Sequence, residues 1–328
     1  PKIILSKSFK DFYLSVSKNT FFISLLVFVF AIAYILTSIE SQKNLISLIA
    51  KDFSTTIIPY FILIFLLQFV NWTLEALKFY FLLPDSKNLS FNQVLKSIYV
   101  GNLTAIVTPK RLGNFIGRNW ILKDKDQQVT ISTISGNFYQ LFITIIMAFC
   151  SFLYLYFFKT QFLLELKYYF LLLVFFYSFL LFLIGYTIFN NNWHPIVNKL
   201  KLVKYFNIST DHLTSISFFK RIKVLFFAMS RYWIFIFQYY LLFKGFNITL
   251  DFLDVIILVG LLFGTVTFLP SFAPGNLGTR EALSIFILGG SALGIKFALV
   301  SFLVWSVNVA FSALIGAGLL FTSKTKKW

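Results

Sequence analysis

Phe268 to Leu283 reads FLPSFAPGNLGTREAL, and it cuts through some of the most apolar sequence in the chain. Two prolines, two glycines, an arginine and a glutamate sit where flanking residues would otherwise continue a hydrocarbon-spanning helix. Proline removes a backbone donor and glycine weakens a helix, so both stop one. The stretch therefore marks a break built into a membrane segment, and the surrounding sequence says what kind of protein carries it. Of 328 residues 58% are hydrophobic and only 12% are charged, against about 25% charged in soluble domains. Mean hydropathy is +0.81, which excludes a single water-soluble core of this length. The fold class is an all-α polytopic membrane protein, forming one integral membrane domain over 1–328.

Apolar runs suited to helices cover 21–39, 57–83, 129–158, 168–189, 222–243, 252–270, 281–295 and 297–321, with a shorter one at 92–108. A crossing needs about 20 apolar residues, so about seven or eight transmembrane helices are expected. The first run is longer than the apolar core of a secretory leader and lacks a small-residue cleavage site, so it reads as a helix that stays. The single cysteine, Cys150, excludes disulfides and cysteine-rich metal sites.

The net charge of +17 is explained by loop position rather than by nucleic acid. Lysine and arginine collect in cytoplasmic loops. Lys2, Lys7, Lys10 and Lys18 precede the first run; Lys199, Lys201, Lys204, Lys220, Arg221 and Lys223 fill the 190–223 loop; Lys324, Lys326 and Lys327 close the chain. Both termini and that loop are expected in the cytoplasm, with the protein in the cytoplasmic (inner) membrane. The segments 40–54 and 244–254 carry balanced or acidic charge and belong outside. If 92–108 crossed fully, the basic segment 110–125 would face outward, so that run is read as a re-entrant hairpin. For 252–295 two forms stay open: two crossings, or a hairpin entering from outside.

A second interrupted stretch, Thr108 to Trp120, reads TPKRLGNFIGRNW. Pro109, Gly113, Asn114 and Arg118 in the first repeat the order of Pro274, Gly275, Asn276 and Arg280 in the second. One falls in each half, 1–165 and 168–322, which suggests a pseudo-repeat. Paired glycine- and proline-interrupted segments point to a transporter's binding site where broken helices meet. A helix restarting after a break offers free N–H groups and a positive dipole end, which suit phosphate. Arg280 and Glu281 stand at such a restart. Ionisable residues at membrane depth are costly and mark function by default.

Further polar residues repeat at helical spacing. Gln68, Asn71, Glu75 and Lys78 fall on one face of the second run, where an acid and a base can pair. That face reads as the lining of a headgroup path; a helix–helix hydrogen-bond seam is the competing reading. Ser301, Trp305, Asn308 and Ser312 form an uncharged stripe on the last run, read as packing. Arg231 lies half-way along its run, too deep for snorkelling. Asn137, Gln140 and Gln238 are the other inward candidates, while His194 and His212 belong to the cytoplasmic loop.

The two broken motifs resemble the lysylphosphatidylglycerol synthase transmembrane family, also called the flippase-like domain family. Pro109, Arg111, Gly113 and Arg118 carry its first motif; Pro270, Pro274, Gly275, Gly278, Arg280 and Glu281 carry its second. Asn114 replaces a usual acid, and Asn276 a frequent glycine. The resemblance implies a membrane domain that moves lipid between leaflets. The aminoacyl-transferring part of those proteins is a separate soluble module, and nothing in these 328 residues resembles it. No catalytic constellation, metal-ligand spacing or ATP motif is present, so no enzyme activity and no cofactor are expected.

The expected substrate is a membrane lipid or lipid-linked molecule with an anionic or zwitterionic headgroup. Arg111, Arg118, Arg231 and Arg280, with Asn71, Asn114 and Asn276, would bind it; Glu75 and Glu281 would offset the cations or meet a cationic headgroup. Two other readings compete: a non-transporting lipid-binding partner of a membrane enzyme such as a glycosyltransferase, and a lipid-modifying enzyme using Glu281 as base. The sequence does not set the oligomeric state.

Overall fold

Long apolar stretches without internal proline or glycine pairs become long helices, and the interrupted stretches become short ones. The computed structural model describes residues 18–41, 57–83, 89–106, 108, 113–122, 126–158, 167–190, 193, 213, 215–270 and 273–325. Pro109, Arg111, His194 and His212 lie outside the described residues. In chain order the helices are α1 (Lys18–Glu40), α2 (Ile58–Leu82), α3 (Phe91–Ile106), α4 (Gly113–Leu122), α5 (Asp126–Phe158), α6 (Lys167–Asn190), α7 (Phe218–Gly245) and α8 (Phe252–Val266). A 3₁₀ turn, Pro274–Asn276, leads to α9 (Thr279–Ile287), followed by α10 (Ala292–Trp305), a π-helical segment (Ser306–Phe311) and α11 (Ser312–Thr325). No strand occurs among the described residues.

Among the described residues, five helical stretches are long and apolar enough to cross a membrane: α2, residues 128–158 of α5, 172–190 of α6, α7, and the continuous stretch 292–321. Phe30, Phe175, Phe182, Phe226 and Phe321 stand exposed on the outside. So many exposed aromatics would be an aggregation liability in water and suit a surface solvated by lipid. The main core joins α2, α5, α6, α7, α8 and α10, centred on residues such as Ile64, Tyr139, Tyr232, Phe243, Leu262 and Phe297.

The two interrupted regions fold as hairpins whose arms are short. The arms of the first, α3 and α4, have 16 and 10 residues, hence lengths of about 24 and 15 Å at about 1.5 Å per residue. Neither crosses a hydrocarbon layer of about 30 Å, as a re-entrant element requires. The arms touch backbone to backbone. A Cβ on Gly117 would stand 2.5 Å from the carbonyl oxygen of Val100, so only glycine fits. Gly113 and Gly117 are spaced as in the small-xxx-small motif that lets membrane helices approach closely. Thr108 ties the turn together: its hydroxyl accepts from the Gly113 amide at 2.6 Å and donates to the Thr104 carbonyl at 2.8 Å. Beneath the hairpin lies a second apolar cluster of Trp72, Phe79, Val94, Ile98, Tyr99, Leu122 and Val129.

Of the two forms open for 252–295, the structure has the hairpin. Helices α8 and α9 have 15 and 9 residues and pack against each other. The run expected over 281–295 divides, because Gly289 and Gly290 take φ of 64° and 70°. Ser291 then caps α10, its hydroxyl accepting from the Gly294 amide at 3.2 Å. In the break itself Gly275, Asn276 and Gly278 have φ of 62°, 60° and 84°. Asparagine tolerates this left-handed region better than other residues with a Cβ, which explains how Asn276 stands where the resembled motif often has glycine. The 3₁₀ turn packs against α3.

Candidate functional site

The polar face of α2 points inward between α4, α5, α7 and the π-helical segment, and its centre is Glu75. Three cations converge on this carboxylate. Lys78, one turn along α2, places Nζ 2.7 Å from Oε2. Arg118 of α4 places Nη2 3.1 Å from Oε1. Arg231 of α7 bonds Oε2 through Nη1. All four side chains are buried: Glu75 is 3% exposed, Lys78 1%, Arg118 2% and Arg231 7%.

Neutral amides hold these groups in place. Asn114 lies one turn before Arg118 and accepts from its Nε at 3.0 Å. Asn71 lies one turn before Glu75, accepts from Arg231 Nε at 2.9 Å, and donates to Asn308 Oδ1 at 3.0 Å. Asn308 in turn donates to Gln238 Oε1 at 2.8 Å, and Gln238 donates to the Ile64 carbonyl at 3.1 Å. The Gln140 side-chain oxygen stands 3.5 Å from Arg231 Nη1. The guanidiniums also rest on rings, Arg118 4.5 Å over Phe79 and Arg231 5.3 Å over Trp72, which lowers the cost of removing them from water. Trp72 donates to the Asn308 carbonyl at 3.1 Å, an oxygen in the π-helical turn.

The charges do not balance. Three cations against one carboxylate leave two positive charges uncompensated among the described residues. Donors are also left over. Arg118 Nη1 and Arg231 Nη2 bond no described residue, and Lys78 uses one of its N–H groups, on Glu75. Lower on the same face of α2, Gln68 is fully buried with neither amide atom hydrogen-bonded. An excess of buried positive charge is destabilising, and an anion beside it would relieve that excess.

The second motif makes a different arrangement. Arg280 Nη2 lies 2.6 Å from Oε1 of its neighbour Glu281. The other carboxylate oxygen of Glu281 accepts from the Gly278 amide at 2.6 Å, capping α9. This pair neutralises itself. Arg280 Nε is buried without a hydrogen-bond partner, and Tyr239, bonded to Ser301 at 3.0 Å, lies within electrostatic reach of both charged groups. Arg231 and Tyr239 sit on one helix eight residues apart, a rise of about 12 Å. The two clusters share no hydrogen bond or ion pair among the described residues.

Of the residues singled out from sequence, Asn71, Glu75, Asn114, Arg118 and Arg231 meet in one network, while Asn276, Arg280 and Glu281 form the second group. Pro270, Gly113, Gly275 and Gly278 lie at the breaks. Asn137 is exposed rather than inward. Asn308, read as packing, links three helices. The ring faces of Trp72 and Phe79 beneath the guanidiniums were not anticipated, although their spacing from Glu75, three back and four on, puts them on its face.

The model of one protein family, described as the lysylphosphatidylglycerol synthase TM region, matches residues 21–316 of the chain. No curated protein and no solved structure matches it.

Proposed function

The chain belongs to the lysylphosphatidylglycerol synthase transmembrane family, and from that premise we propose that it carries a phospholipid or lipid-linked molecule between the leaflets of the cytoplasmic membrane. The observation that carries this reading is the buried group of Lys78, Arg118 and Arg231 around Glu75. Apolar packing is often as stable as a buried ion cluster or more so, so a stability role alone gives no reason for three cations here. At membrane depth the cluster suits a charged headgroup on its path between leaflets. The α3–α4 hairpin supplies Arg118 from a short arm held against α3 by glycine contacts. Movement is passive or ion-coupled, and the termini face the cytoplasm. No enzymatic step is assigned, because the carboxylates in the two clusters, Glu75 and Glu281, are both engaged with cations.

The test is leaflet exchange in vesicles containing the purified protein and labelled phospholipids. Exchange should exceed that of protein-free vesicles for at least one anionic headgroup, and Arg231→Gln should reduce it at least tenfold. Equal rates with and without protein, across phosphatidic acid, phosphatidylglycerol and phosphatidylethanolamine, would overturn the reading.

A further inference from the structure

The charge of the Glu75 cluster says which headgroup it fits. Two positive charges are left after Glu75 is counted, and in a poorly solvated interior a ligand binds best when it cancels them. A phosphodiester brings one negative charge and leaves one cation unbalanced. A cationic headgroup adds to the excess. A phosphate monoester above its second ionisation brings close to two charges and three terminal oxygens. Among the described residues the donors without a bond are Arg118 Nη1, Arg231 Nη2 and the remaining N–H groups of Lys78, enough for that number of oxygens. They come from three helices, α4, α7 and α2, that converge on Glu75. Glu75 stays in place as the anchor that holds the cations together when no ligand is bound.

We infer that this cluster selects a phosphate monoester dianion over a phosphodiester. Gln68 supports the presence of a ligand independently of charge. Its buried amide has a donor and an acceptor unused, and it lies seven residues from Glu75 on the same helix, about 10 Å away along the axis, where an uncharged polar part of a bound molecule would fall. The self-neutralised Arg280–Glu281 pair offers no such excess charge. As a statement about substrate the inference rests on the carrier reading above; as a statement about binding it does not require movement.

The same dianion could come from a lipid or from free phosphate, and the experiment separates them. The full chain is placed in phosphatidylcholine nanodiscs at pH 8. Binding of phosphatidic acid, phosphatidylglycerol and inorganic phosphate is measured by native mass spectrometry and thermal shift. Phosphatidic acid should bind at least tenfold more tightly than phosphatidylglycerol. If inorganic phosphate binds as tightly as phosphatidic acid, the dianion site stands and its source is the aqueous phase. Arg231→Gln and Lys78→Gln, on different helices, each lower the surplus from two charges to one, and each should bring the two lipids to within about threefold of one another. Equal affinity for both lipids in the unaltered protein, or a preference unchanged in whichever of the two variants folds, overturns the inference. Leaflet exchange of both lipids at equal rates and equal affinity would sink the selectivity and leave the carrier reading standing. Selective binding without any exchange would do the reverse.

Discussion

Replacing Glu75 tests the cluster most directly, because one carboxylate holds three cations that come from α2, α4 and α7. Glu75→Gln keeps the volume but removes the charge, and its new NH₂ group would face Lys78 or Arg231 donor to donor. Removing one partner of a buried ion pair costs about 3–5 kcal/mol, mostly from the charge left behind. At about 2 °C per kcal/mol for a chain of this size, the melting temperature should fall by about 6–10 °C. Glu75→Ala should fall at least as far and also leave a cavity where the carboxylate stood. Acetate fits that space and restores the missing charge. At a hundred times its dissociation constant a ligand returns about 2.7 kcal/mol, so titrated acetate should recover about half or more of a loss of about 3–5 kcal/mol. The assay is thermal unfolding of detergent-purified protein, with acetate set against an equal ionic strength of chloride. The reasoning fails if Glu75→Gln melts within 2 °C of the unaltered protein, or if acetate raises Glu75→Ala no more than chloride does. Either result would mean that the three cations are satisfied without this carboxylate.

Three further substitutions probe other links. Gly117→Ala places a Cβ 2.5 Å from the Val100 carbonyl oxygen, so α3 and α4 must separate at a cost of about 1–3 kcal/mol; Gly318→Ala, with open space around it, should leave the melting temperature unchanged. Asn308→Leu removes the bonds to Asn71 and Gln238 and should lower stability by about 1–3 kcal/mol, since interhelical bonds in membranes average about 0.6 and reach about 1.7 kcal/mol each; denaturant titration reads the change, and a neutral result would mean the seam is not stabilising. Arg280→Met strands Glu281 beside the α9 cap and should destabilise more than Arg280→Met with Glu281→Gln, because removing both charges removes the unpaired one; if the double variant is the less stable of the two, the pair is not a self-contained neutral unit.

The helical membrane class and the positions of most helices follow from the spacing of apolar runs, because membrane-spanning backbone has few alternatives to helix. The interruption at Phe268–Leu283 also gives the hairpin its reason, since proline and glycine leave the arms too short to cross. The boundary at Gly289–Gly290 leaves no mark in hydropathy. A run of apolar residues on either side hides a two-residue left-handed turn, and hydropathy carries no information on φ. At the site, the spacing of Asn71, Glu75 and Lys78 reports a common face, and mid-helix depth marks Arg231 as inward. What spacing cannot report is that Arg231 meets Glu75 across 156 residues of sequence. That meeting depends on how α2 and α7 pack, a property of the whole bundle. Gly117 shows the same limit: a glycine needed for close approach looks, in sequence, like one needed for a turn.

The two clusters differ in how much charge they leave for a ligand. By sequence the second break is the more specific motif, with an arginine and a glutamate at a helix restart. In three dimensions those two residues bond each other, and Glu281 also closes the helix end that would otherwise attract an anion. A helix N-terminus occupied by its own carboxylate has little attraction left for phosphate. The first break carries basic residues and no acid, because Asn114 stands where an acid is usual in the resembled motif. That replacement removes a local counter-ion and lets Asn114 act as a neutral bracket for Arg118. The guanidinium then has to share the distant Glu75 with Lys78 and Arg231, and sharing one carboxylate among three cations is what leaves charge over. An acid at position 114 would cut the surplus from two to one. Asn114→Asp should therefore weaken phosphate monoester binding more than diester binding, which ties a single departure in the sequence to the charge of the ligand the protein accepts.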